Sequence, residues 1–86
     1  MRNNLDQKQF LKAFNTIIEK GDKIEGNYLF NDVKAWHDYD GYCCYISYNN
    51  VEITLMFHGK YLLDYKDEGL LESFINKISL INKGIR

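Results

Sequence analysis

The stretch from Val33 to Tyr65 constrains the fold most, because short β-branched and aromatic runs alternate there with turn-forming residues. Val33 to Asp38 reads as a strand, Tyr39 to Gly41 as its turn, and Tyr42 to Tyr48 as the next strand. Asp40-Gly41 and Asn49-Asn50 are residues that tolerate the backbone of tight hairpins. Val51 to Phe57 follows, with Val51, Ile53, Leu55 and Phe57 on one face by two-residue alternation. His58-Gly59-Lys60 then turns into a run from Tyr61 to Tyr65. Together these runs predict an antiparallel meander.

A helical pattern flanks the meander on each side. From about Leu5 to Lys20, Phe10, Phe14, Ile17 and Ile18 recur at helical spacing, with Leu11 and Ala13 beside the stripe. Asn3 or Asn4 can cap this helix, Asp6 suits its first turn, and Gly21 is read as a left-handed stop. A second helix begins near Asp67, a capping residue, and carries Leu70, Leu71, Phe74, Ile75, Ile78 and Ile81 on one stripe. Lys83 and Arg86 suit its C-terminal end, with Gly84 past the stop. Lys23 to Phe30 reads less clearly, as a short edge strand with Gly26-Asn27 as a turn or bulge. Two amphipathic helices need a surface for their stripes, and one sheet face can receive both. The expected fold is therefore α+β: a two-layer sandwich of N-terminal helix, a meander of three to five strands, and C-terminal helix, with both helices on one sheet face.

At 86 residues the chain is expected to form one domain over residues 1–86. Five Phe, seven Tyr and one Trp supply a core without disulfide or metal staples. The net charge of −1 favours neither nucleic acid nor an anionic membrane as partner. Positions 21–69 nevertheless carry nine acids against four lysines, so the strand region is acidic and the helical ends are mildly basic. No apolar run approaches the ~18 residues of a membrane span, and no leader-like apolar segment opens the chain. The adjacent Cys43 and Cys44 would point to opposite faces of a strand, which disfavours joining them and fits a reduced, cytoplasmic setting.

With the helices on one face, the other sheet face meets solvent or a partner. Glu52, Thr54, Met56 and His58 are expected to face outward, with Tyr45 and Cys43 beside Met56. Either Leu62 and Asp64 or Leu63 and Tyr65 join them, depending on register. Tyr45, Met56 and Leu62 are the candidate interface residues. A face-to-face homodimer, or pairing through a free sheet edge at Val33 or Tyr61, follows as the expected mode of association.

His37, Asp38, Asp40 and His58 form the one group resembling a reactive constellation, placed by topology at one end of the meander. They are candidate ligand-binding residues, able to bind a divalent metal or transfer protons if they cluster. The competing reading is structural: Asp40-Gly41 and His58-Gly59 are turn residues, and Asp38 can hold its turn by accepting backbone N–H bonds. No metal-ligand spacing supports a metal, so no cofactor and no catalytic residue is assigned. Cys43 and Cys44 lie among tyrosines and acids, which do not lower a thiol pKa, and they read as structural thiols. Double-stranded RNA binding needs cations at the start of the final helix, where Asp67 and Glu68 stand instead. Tyr45 could stack on single-stranded bases, although the sheet lacks supporting cations.

Asp6-Gln7-Lys8-Gln9-Phe10-Leu11, His37-Asp38-Tyr39-Asp40-Gly41-Tyr42 and Thr54-Leu55-Met56-Phe57-His58-Gly59-Lys60-Tyr61 resemble a family of small uncharacterised gamma-proteobacterial proteins, a domain of unknown function. The resemblance implies a bacterial, cytoplasmic, single-domain protein and supplies no catalytic residues. The functional expectation is a non-enzymatic binding or regulatory module acting by protein–protein contact, as a homodimer or with another protein. The alternatives are a small-ligand or metal site at the His37/Asp40/His58 end and a single-stranded nucleic-acid binder.

Overall fold

A computed structural model of the protein describes residues 7–38, 43–56 and 60–84. The element order is α1 (Gln7–Lys20), β1 (Asp22–Ile24), β2 (Asn27–Phe30), β3 (Val33–His37), β4 (Cys44–Tyr48), β5 (Val51–Leu55), β6 (Tyr61–Asp64) and α2 (Glu68–Asn82). The six strands form one sheet in sequence order, each antiparallel to the next. The meander thus has six strands where the sequence reading gave three to five. The difference lies in residues 22–30, which make two strands instead of one edge strand with a bulge.

Turn chemistry explains that hairpin and its two relatives. Glu25 and Gly26 have φ of 51° and 87°, Asn31 and Asp32 51° and 69°, Asn49 and Asn50 50° and 68°. Each pair closes two strands through a two-residue loop, between Ile24 and Asn27, Phe30 and Val33, and Tyr48 and Val51. Positive φ at both central positions is the type I′ pattern, whose twist matches the strands it joins. Asn, Asp and Gly adopt it readily, but Glu25 does not advertise it, and Gly26-Asn27 is not the turn.

The core follows the alternation. Phe10, Ala13, Phe14 and Ile17 of α1 and Phe74, Ile78 and Ile81 of α2 are buried in one cluster with Phe30, Val33, Ala35, Ile46, Val51, Ile53 and Leu55. All those strand residues belong to a single alternating set, which is one sheet face. Cys44, Tyr48 and Leu63 extend the set at partial burial. The ring of Phe10 lies 6.3 Å from Phe74 and 5.3 Å from Tyr61, tying both helices to β6. Asn82 braces the helices, its Nδ2 donating to the Gln9 carbonyl at 3.0 Å.

Helix ends behave differently from one another. Asp67 is the N-cap of α2, its Oδ1 accepting from the Gly69 N–H at 3.0 Å, as the sequence predicts. Gly84 has φ +81° and closes the helix in left-handed conformation, its N–H donating to the Ile81 carbonyl. Gly21 is not left-handed, contrary to expectation. A Cβ there would sit 2.6 Å from the Ile17 oxygen and 2.7 Å from the Leu29 oxygen, so glycine is required by the close approach of α1 to β2. The expected caps Asn3, Asn4 and Asp6 lie outside the described residues. The free edges are β1 and β6; Val33 is no edge, since β3 pairs with β2.

Candidate functional site

The strand residues outside the core set form the second sheet face, and none of them is buried. Register settles its layout. One row runs across the sheet through Ile24, Asn27, Trp36, Tyr45, Thr54 and Leu62, and another through Asp22, Leu29, Lys34, Ser47, Glu52 and Asp64. A third row at one end holds Asp38, Cys43, Met56 and Lys60, joined by Asp38 N–H to the Cys43 oxygen at 3.1 Å and Met56 N–H to the Lys60 oxygen at 2.8 Å. The open question of register is answered in favour of Leu62 and Asp64, while Leu63 belongs to the core face.

At the centre Trp36 and Tyr45 stack with ring centroids 5.2 Å apart and planes 10° off parallel. Directly opposed aromatics on neighbouring strands stabilise each other and leave their outer surfaces available. Leu62 is 61% exposed, Ile24 51% and Leu29 40%, so the face combines a flat aromatic patch with three solvent-facing aliphatics. A shallow depression lined by Ile24, Glu25, Asn27, Leu29 and Lys34 lies at its β1–β2 corner. Tyr45 and Met56 are half-buried and more covered by their neighbours than an isolated surface residue would be. The sequence reading had identified Tyr45, Met56 and Leu62 but missed Trp36, Ile24 and Leu29. Inward Val33 and Ala35 already imply an outward Trp36, whereas β1 is exposed throughout and gives no such signal.

The described charges on this face are net acidic. Asp22, Asp38, Glu52 and Asp64 outnumber Lys34 and Lys60. The Tyr45 phenol is held above its usual value first by desolvation and then by Cys43, Asp38 and Glu52. Burial also raises the Cys44 thiol, with Cys43 and Asp38 adding to it. A raised thiol pKa leaves less thiolate at neutral pH, the reverse of what a nucleophile needs.

The His/Asp end has less to show. His37 is exposed, on the core-face side of β3 opposite Cys44, and its Nδ1 lies 3.0 Å from the Asp38 oxygen. Asp38 is on the other side, its Oδ1 accepting from the Cys43 N–H at 3.4 Å. That contact joins the facing ends of β3 and β4; the turn that Asp38 was expected to hold lies outside the described residues. Asp40 and His58 lie outside the described residues. Among the described residues no three His, Cys, Asp or Glu side chains come together as metal ligands, and no helix is long and apolar enough to cross a membrane.

Comparison with curated proteins and with solved structures finds no match. A family model described as Protein of unknown function (DUF3081) matches residues 5–86, almost the whole chain. The two helices, the six-stranded sheet and its half-apolar second face all fall within that span, and the chain belongs to the DUF3081 family.

Proposed function

We propose that this chain is a small bacterial binding or regulatory module, without catalytic activity, that acts in the cytoplasm by protein–protein contact and works as a homodimer. The observation that carries the contact with another protein is the open sheet face, where stacked Trp36 and Tyr45 share a surface with exposed Leu29, Ile24 and Leu62. Apolar and aromatic residues gathered on one open face mark association sites more often than residues scattered over a surface do. Its acidic surround suits a partner that is apolar at the centre and basic at the rim. The same surround opposes nucleic acid: an aromatic platform alone could stack bases, but Asp38 and Glu52 repel phosphates.

The test is affinity capture from nuclease-treated host lysate with the native chain and a Leu29→Lys variant. A stoichiometric protein partner held by the native chain and lost by the variant supports the reading. Recovery of the bait alone, or of partners that nuclease removes, contradicts contact between this face and another protein.

A further inference from the structure

We infer that a second copy of this chain pairs with it edge to edge through β6, about a twofold axis at Leu62, making one continuous sheet of both copies. The inference rests on the homodimer part of the reading above and says where the copies meet.

Hydrogen-bond phase comes first. Met56 N–H donates to the Lys60 oxygen, so Met56 and Lys60 are a bonded pair in the β5–β6 register. Bonded and non-bonded pairs alternate along an antiparallel ladder. Leu62 and Asp64 therefore direct their backbone groups at β5, while Tyr61 and Leu63 direct theirs away from it. No described strand lies on that side. The N–H and C=O groups of Tyr61 and Leu63 are what a further antiparallel strand would bond.

A perpendicular twofold keeps core faces together and open faces together, so only residues of one face can oppose each other. Two registers are compact. With Leu62 opposite its own copy, Tyr61 meets Leu63 of the second copy as a bonded pair, and Lys60 meets Asp64 at both ends. With Leu63 opposite itself, Lys60 would meet Lys66 and Leu62 would meet Asp64. Charge complementarity selects the first register, and the alternation agrees with it, because Leu62 is then at a non-bonded pair where side chains approach closest. Leu62, 61% exposed, would cover its own copy on the open face of the seam, and Tyr61, 37% exposed, would cover Leu63 of the second copy on the core face.

Charged residues on an edge commonly prevent pairing. Here Lys60 and Asp64 are spaced to favour the first of the two compact registers. The other edge is poorer: β1 has three residues, and pairing about its centre sets Lys23 against Lys23. Face-to-face docking is opposed by the acid excess. A four-residue edge buries less than a standard interface, so the dissociation constant belongs on the order of micromolar.

The experiment combines light scattering, at concentrations well above that range, with cross-linking in a Cys43→Ser/Cys44→Ala background. Leu62→Cys in that background is expected to give a covalent dimer under mild oxidation, and Leu29→Cys is not. Lys60→Asp or Asp64→Lys alone should weaken the dimer about tenfold or more, since each change affects two symmetric pairs, and the double reversal should restore it. Circular dichroism checks that these exposed positions leave the fold intact. A native chain that stays monomeric overturns the homodimer and the edge pairing together. A native dimer that ignores both charge reversals and does not cross-link at position 62 overturns the edge pairing and leaves the homodimer standing.

Discussion

At the residue scale, a methyl group on Gly21 would meet two backbone oxygens at under 3 Å, neither of which can rotate aside. Gly21→Ala is expected to cost roughly 1–3 kcal/mol, as overpacking does, lowering the melting temperature by several degrees. Glu25 presents the opposite case. It holds a φ of 51° without the short polar side chain that eases that conformation. Glu25→Asn gives the preferred Asn–Gly pair and should raise stability by about 0.5–1 kcal/mol in urea titration. Both residues show where local sequence misleads: Gly21 invites a left-handed reading that packing overrides, and Glu25 hides a turn that its neighbour Gly26 completes. Tyr45 and Cys44 each take some stability away at alkaline pH. Their raised pKa values mean that the unfolded chain gives up those protons first, so stability falls as pH rises above about 9 for Cys44 and about 10 for Tyr45. Tyr45→Phe should flatten the upper part of that fall, read from urea midpoints across the range.

At the scale of elements, the helices were the most legible part, because Phe10, Phe14 and Ile17, and Phe74, Ile78 and Ile81, repeat at a spacing no strand uses. The cap of α2 was equally plain, and Asp67→Ala is expected to lose about 0.5–2 kcal/mol, measured by thermal or urea unfolding. Strands β3 to β5 announced themselves through alternation against a buried face. Strand β1 could not, since all three of its residues are exposed and its existence depends on the turn and on pairing with β2. Register was likewise out of reach for β6: Tyr61-Leu62-Leu63 has apolar residues on both sides, and only pairing with β5 shows that Leu62 faces outward. Trp36 was placed in a strand without its consequence being drawn, and the Trp36–Tyr45 stack emerges only once β3 and β4 are aligned.

At the scale of the molecule, the sheet has one face that shares its core with two helices and one that is aromatic, aliphatic and acidic, with an edge at β6 that carries opposite charges, Lys60 and Asp64, at equal spacing on either side of Leu62. Of the candidate His/Asp end, Asp40 and His58 lie outside the described residues, while the Asp38 carboxylate accepts from the Cys43 N–H across the end of β3 and β4. We propose β6 as the strand where two copies join. Amide hydrogen exchange, followed residue by residue by NMR at low and high protein concentration, tests it most directly. The amides of Leu62 and Asp64, bonded within the sheet, should be protected at both concentrations. Those of Tyr61 and Leu63 should exchange freely when dilute and become protected when concentrated. Exchange at Tyr61 and Leu63 that does not change with concentration would contradict the claim.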